Sequence, residues 1–112
     1  MSTEPKAPSE LEGATAIGAL VQYQKGAVVS RTILKRAAGT VTAFAFDQGE
    51  GLSEHTAAFD ALALVTDGEA EITVSGAAHR VAAGELLRLP AGMPHALRAL
   101  TRFTMLLVMI RE

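Results

Sequence analysis

Histidine and carboxylate side chains are the residues through which this chain could do chemistry, because its 112 residues include no cysteine. A chain without cysteine has no thiol nucleophile, no thiolate metal site and no disulfide. Its three histidines are His55, His79 and His95. Imidazole has an unperturbed pKa of about 6.5 and can act as a general acid, a general base or a neutral metal ligand. No serine nucleophile beside a base and no glycine-rich phosphate loop is visible in the sequence.

Short β-rich runs carry two of these histidines, His79 and His95. From Gly26 onward such runs alternate with Gly, Asp, Ser or Pro at fairly even intervals, which is typical of an all-β sandwich or barrel. Eight runs in so short a chain predict a jelly roll. The predicted strands are residues 27–36, 40–47, 61–66, 70–75, 79–81, 86–89, 95–100 and 103–110. The conformation of residues 11–23 stays open, because two internal glycines weaken a helix there.

Glycine and proline mark the turns between these runs. Asp67 and Gly68 stand between two strands and predict a hairpin that needs positive φ. The segment 90–94, PAGMP, predicts a rigid double-proline turn that delivers His95 at the start of a strand. This rigidity should fix the direction of the imidazole.

Two spaced motifs in the chain resemble those of the cupins, a family of small double-stranded β-helix proteins. The first cupin motif is Gly, five residues, His, one residue, His, three or four residues, Glu, six residues and Gly. Here Gly49, His55 and Gly68 match, while Ala57 stands at the second His and Ala61 at the Glu.

The second cupin motif is Gly, five residues, Pro, one residue, Gly, two residues, His, three residues and Asn. Gly84, Pro90, Gly92 and His95 match in register, and Ala99 stands at the Asn. The resemblance covers roughly residues 39–110. It implies an all-β fold, the double-stranded β-helix or cupin jelly-roll barrel.

The resemblance also implies a metal site, but this chain lacks two of its four protein ligands. Metal-binding cupins use the two His and the Glu of the first motif and the His of the second, so only His55 and His95 remain. They could hold a divalent transition metal such as Zn, Ni, Fe or Mn, but a catalytic site usually has three protein ligands. Asp60 is the candidate third ligand. Strict alternation places it on the face opposite His55 unless a bulge at Ala58 reverses it. The structural alternative is that Asp60 accepts hydrogen bonds from backbone N–H groups in the turn before its own strand.

Alanine at three motif positions predicts a small apolar pocket beside the two histidines. The predicted pocket residues are His55, Ala57, Ala61, His95, Ala99, Phe44 and Met105. Such a pocket suits a small organic ligand with one or two polar groups.

The leading hypothesis is a ligand-binding cupin with no or weak metal binding. The alternative is a metal-dependent enzyme, an oxygenase or isomerase, that uses a non-standard third ligand. His79 is interpreted as packing at the rim, and whether the protein is an enzyme stays open.

Composition and charge argue against several other classes of protein. A formal net charge of -2 without a Lys/Arg cluster argues against nucleic acid as a partner. The apolar run 105–110 is far shorter than the roughly 20 residues of a membrane-spanning helix, and the polar start of the chain does not resemble a secretory signal. We therefore expect a cytoplasmic protein with a flexible N-terminal tail at residues 1–12 and one barrel domain at 13–112.

Two runs, 62–65 and 105–110, are apolar on both faces and need cover on both sides. We expect a homodimer in which a second subunit supplies that cover. The alternative is that the N-terminal segment folds over the outer face. A third hypothesis is a structural or regulatory protein whose role lies in this face.

Overall fold

Nine β-strands form nearly all the regular structure in the computed structural model, which describes residue 11 and residues 13–111. They are Val28–Arg36 (β1), Gly39–Phe46 (β2), Gly51–His55 (β3), Asp60–Asp67 (β4), Glu69–Val74 (β5), Ala77–Ala82 (β6), Leu86–Leu89 (β7), His95–Ala99 (β8) and Phe103–Ile110 (β9). A single 3₁₀ turn, Ile17–Ala19, precedes them. In this part of the chain no helix has the length and apolar character needed to cross a membrane. The predicted tail, apart from Leu11, lies outside the described residues.

The strands form two antiparallel sheets that face each other. One sheet has the order β1-β2-β9-β4-β7 and the other has the order β3-β8-β5-β6. Neighbours in each sheet are mostly distant in sequence, as in a jelly roll. The predicted all-β jelly-roll class is therefore confirmed.

Alternating side chains place the core between the sheets. On β5 Ala70 and Ile72 are fully buried, whereas Glu69 and Glu71 on the opposite face are partly exposed. The inner layer of the other sheet contributes Phe46 and Phe103, whose rings stack with centroids 4.3 Å apart. Because both inner faces bury apolar side chains in one cluster, the two sheets enclose a single core.

The sequence predicted eight of these strands and missed β3. This strand reads Gly-Leu-Ser-Glu-His and is mostly exposed, so it shows neither an apolar run nor a clean alternation. It lies at the edge of the four-stranded sheet and, among residues 11 and 13–111, pairs only with β8. The omission matters because β3 carries His55.

The predicted hairpin at Asp67 and Gly68 is wrong. These residues join β4 and β5, which belong to different sheets, so the chain crosses from one sheet to the other at this point. Gly68 does have positive φ (73°), and a Cβ on it would overlap the main-chain carbonyl oxygen of Arg102. Two-residue hairpin geometry occurs instead at Ser75 and Gly76, both with positive φ, between β5 and β6.

The N-terminal segment covers part of the outer face of the five-stranded sheet. Leu20 is 6% exposed and packs with Ile33 and Ala43, and Val21 packs beside them. The main-chain oxygen of Leu20 accepts a hydrogen bond from Arg31 Nη1 at 3.1 Å. For this part of the outer face, the packing supports the alternative that the N-terminal segment covers it.

A polar cluster, which we call the clasp, attaches this segment to the barrel and consists of Tyr23, Asp67, Arg102 and Asp47. The hydroxyl of Tyr23 donates to Asp67 Oδ2 at 2.7 Å, and the Arg102 guanidinium lies 5.3 Å from the centre of the Tyr23 ring. Burial and the Asp67 carboxylate raise the pKa of Tyr23 to about 12. Arg102 also pairs with Asp47 at 2.8 Å, and this bond, with the Gly26 N–H, lowers the pKa of Asp47 to about 2. The clasp is therefore hydrogen-bonded, with Tyr23 protonated and Asp47 ionised at neutral pH.

Candidate functional site

Two histidines meet on the inner face of the four-stranded sheet. His55 ends β3, His95 begins β8, and the two residues are directly paired in the antiparallel register. Their ring centroids are 4.3 Å apart, with an angle of 71° between the ring planes. The structure therefore brings together the two candidate ligands that the motifs predicted.

Both imidazoles are held through the same ring nitrogen. His55 Nδ1 lies 2.8 Å from the main-chain oxygen of Ser53, and His95 Nδ1 lies 3.3 Å from that of Met93. A carbonyl oxygen can only accept a hydrogen bond, so Nδ1 must be the donor in each ring. In a neutral imidazole the proton is then on Nδ1 and the lone pair is on Nε2. When both rings are neutral, the site thus presents two Nε2 lone pairs.

His95 is buried, yet its Nε2 remains accessible. The residue is 6% exposed, and no buried side-chain nitrogen or oxygen among the described residues lacks a hydrogen-bond partner. Since its Nδ1 is bonded and its Nε2 has no partner among those residues, the small exposed part of the ring includes Nε2. Burial, and then the proximity of His55, lowers the pKa of His95. His95 is therefore neutral at pH 7 and offers a lone pair.

The lowered His95 pKa predicts acid sensitivity of the fold. In the unfolded chain His95 has a pKa of about 6.5, so between that value and the lower folded pKa the unfolded state binds more protons than the folded state. Its contribution to stability is complete above about pH 6.5 and is lost as the pH falls through the folded pKa. We expect urea denaturation to show a steeper loss of unfolding free energy, as the pH falls below about 6.5, in the wild type than in His95→Gln.

The control for this titration is His79→Gln. His79 is exposed on β6, so this variant removes a surface histidine and leaves the site unchanged. Equal slopes for the wild type and His95→Gln would show that His95 does not titrate differently in the two states.

The double-proline turn that carries His95 is anchored from the β3–β4 connection. Gly92 N–H donates to the Ala57 carbonyl at 2.9 Å, and Ala91 N–H donates to Asp60 Oδ1 at 2.8 Å. Gly92 has positive φ (77°), as a turn glycine requires. Asp60 therefore accepts a hydrogen bond from a backbone N–H, as the structural alternative predicted. The donor, Ala91, belongs to the double-proline turn and not to the turn before the strand of Asp60.

The residues present do not fit a three-ligand metal site. Among residue 11 and residues 13–111, no group of three His, Cys, Asp or Glu side chains is placed to hold a metal ion. Asp60 is exposed and points away from the buried Ala61, so it does not join His55 and His95. The chain between His55 and Asp60 is not a strand, so strict alternation does not extend across it. The suggested Asp60 ligand is thus not supported.

The other predicted pocket residues lie in or against the core. Ala61 (6% exposed), Ala99 (3%) and Met105 (1%) belong to the buried cluster between the sheets, and the half-buried Phe44 packs against it opposite Met105. Ala57 lies in the connection before β4 and is half-buried. A ligand pocket lined by these residues stays a prediction.

Sequence reasoning missed the two carbonyl groups that orient the imidazoles. Each belongs to the residue two positions before its histidine, Ser53 or Met93, and a main-chain oxygen has no side-chain signature. His79 lies on the same face of β6 as the buried Val81 and is itself exposed, in agreement with its interpretation as a rim residue.

The two facing antiparallel sheets, with a histidine pair on the inner face of one of them, define a jelly-roll barrel of the double-stranded β-helix class. The family model for the cupin domain matches residues 43–111. The chain belongs to the cupin family.

Solved structures agree with this assignment. A conserved protein of unknown function from Streptococcus pyogenes is 32% identical, with 99% of this chain and 98% of that chain covered and a TM-score of 0.85. A cupin superfamily protein from Desulfitobacterium hafniense is 26% identical over 91% of this chain and 94% of its own, also with a TM-score of 0.85. A cupin 2 conserved barrel domain protein from Leptotrichia buccalis is 36% identical over 85% of this chain and 46% of its own, with a TM-score of 0.82. No curated protein matches the chain.

Proposed function

We propose that this cupin binds a small organic molecule that donates hydrogen bonds to His55 and His95. The observation that carries the proposal is the buried, neutral His95 ring, whose accessible Nε2 has its lone pair free. A second imidazole held in the same tautomer lies beside it. Two adjacent acceptors favour a hydroxyl or ammonium group and repel a carboxylate, which has no proton to donate.

Apolar neighbours favour an organic ligand over a simple ion. Val74 is the cross-strand neighbour of His95 on β5, and Leu52 precedes His55 on β3; both are half-buried and pack against the core. An apolar surround with a few oriented polar groups is the usual design of a small-molecule site. The ligand would therefore place its polar end at the imidazoles and its carbon skeleton against these side chains.

Three molecules of nearly equal size test this preference. Propane-1,2-diol and propylammonium can donate to Nε2, and propionate cannot. At concentrations on the order of 10 mM, we expect the first two to shift the side-chain ¹⁵N resonances of His95 and His55 in NMR spectra, and propionate to leave them unchanged.

Two variants make that result specific. His55→Ala should abolish the shifts at His95, and His79→Ala, which removes an exposed histidine on another strand, should preserve them. Equal effects of propionate and the diol, or no effect of any probe, would overturn the proposal.

A metal-dependent oxygenase or isomerase is the second candidate, because Nε2 of neutral imidazole is also a metal-binding atom. Two imidazoles without a third protein ligand among the described residues make it the weaker candidate. Elemental analysis of protein produced in medium supplemented with Zn, Ni, Fe and Mn separates the two. We expect no stoichiometric metal. About one metal per chain that is lost in both His55→Ala and His95→Ala would favour the enzyme.

A further inference from the structure

The double-proline turn at residues 90–94 connects the two sheets beside the histidine pair. It leaves β7 in the five-stranded sheet and enters β8 in the four-stranded sheet, where His95 is the first residue. Pro90 and Pro94 each fix their own φ. Because the segment has little torsional freedom, it moves largely as one unit, and the contacts at its two ends decide where its carbonyl groups lie.

Hydrogen bonds from two different sheets hold these ends. At the end next to β8, the Ser75 N–H donates to the Pro94 carbonyl at 2.8 Å. At the end next to β7, Asp60 Oδ1 accepts from the Ala91 N–H at 2.8 Å, beside the main-chain bond that Gly92 makes to the β3–β4 connection. Asp60 is the first residue of β4 and makes this bond with its side chain. A substitution can therefore remove the bond and leave the backbone as it is.

The carbonyl of Met93 lies between these anchors and is the part most sensitive to their position. It accepts from His95 Nδ1 at 3.3 Å, which is long for an N–H···O bond. The corresponding bond of His55, to Ser53 in the same strand, is 2.8 Å long. A displacement of the turn by about half an ångström would break the first bond and leave the second intact. The bond at Nδ1 decides which ring nitrogen carries the proton.

We propose that Asp60 is a positioning residue of the ligand site, which holds the turn so that the Met93 carbonyl keeps the proton of His95 on Nδ1. This role rests on the proposed function, in which Nε2 accepts a hydrogen bond from the ligand. Without the Asp60 bond the ring can place its proton on Nε2, which turns the acceptor into a donor. An ammonium group, which only donates, then loses its partner, whereas a hydroxyl group can rotate and accept.

Asp60→Ala in the full-length chain tests this role. In ligand-free protein at about pH 8, we expect side-chain ¹⁵N spectra to place the His95 proton on Nδ1 in the wild type and partly on Nε2 in the variant. His55 should be unchanged. The Kd for propylammonium should rise at least about threefold, and more than the Kd for propane-1,2-diol. Ala91 is exposed, so water can replace the carboxylate there and the fold should persist, as melting temperatures would show.

Two matched variants separate positioning from charge and from general loss of a turn contact. Asp60→Asn keeps Oδ1 as an acceptor and removes the charge, so it should retain the wild-type tautomer and the wild-type ratio of the two Kd values. Glu85→Ala removes a comparable bond, which the Ala82 N–H donates to Glu85 Oε1 at 2.9 Å. It should change neither quantity.

An unchanged His95 tautomer in Asp60→Ala, or an equal change in Asp60→Asn, would contradict this role. If Asp60→Ala does not fold, Asp60→Gln takes its place, because the added methylene group moves the acceptor away from Ala91. The tautomer is measured without ligand, so it decides the role of Asp60 whether or not the probes bind. Absence of probe binding by the wild type would instead reject the proposed function.

Discussion

Gly68→Ala is expected to lower the free energy of unfolding by more than about 3 kcal/mol. At this residue the chain crosses between the two sheets with φ of 73°. A methyl group there would overlap the carbonyl oxygen of Arg102 and approach Thr101 Oγ1 at 2.8 Å. Because the obstacle is main chain, it cannot rotate away, and relief requires movement of the β8–β9 connection.

Gly76→Ala is the matched control for this change. Gly76 has a similar positive φ (83°), but a Cβ there meets no atom of the described part of the chain within 4 Å. Alanine at this position should cost only the strain of the left-handed conformation, about 1–2 kcal/mol. Urea denaturation of both variants isolates the contribution of the clash. Equal destabilisation would show that the crossover can relax around a methyl group.

Phe103→Ala is expected to cost about 4 kcal/mol of unfolding free energy. Phe103 is fully buried and stacks on Phe46, with the rings 4.3 Å apart and nearly parallel at 7°. Removing the ring forfeits its hydrophobic transfer energy and leaves a cavity between the sheets, where strands on both sides restrict collapse.

The same substitution at Phe59 is the control. Phe59 is half-buried outside the core cluster, and its ring lies 5.8 Å from the Arg111 guanidinium. Phe59→Ala should cost about 1 kcal/mol, the contribution of a cation–π contact and partial burial. Thermal and urea unfolding measure both. Equal losses at the two positions would mean that the stack does not dominate the core.

Much of the fold was predictable because its signals are local. Alternation placed Ala70 and Ile72 in the core and located β5, and the double-proline turn positioned His95 at the start of β8. The spacing of the two motifs predicted the family and singled out His55 and His95, the two histidines whose rings meet in the fold.

The errors arose where non-local geometry decides the outcome. Asp67 and Gly68 carry the local signature of a hairpin, but close packing against the β8–β9 connection sets their conformation. The edge strand β3 is exposed and is defined by its pairing with β8, which no local pattern reveals. The tautomer of each histidine depends on a carbonyl oxygen, so the sequence could name the imidazoles without showing which nitrogen is free.

The edge position of β3 determines how ligand binding would change the local stability of the protein. His95 lies on a strand bonded on both sides, whereas His55 lies on a short edge strand with an irregular register between Leu52 and His55. Edge segments with few buried contacts open locally at low free-energy cost. The site therefore combines one fixed imidazole with one adjustable imidazole. A molecule that binds both imidazoles would connect the edge strand β3 to the core. The first sign of its binding would be slower amide exchange along β3.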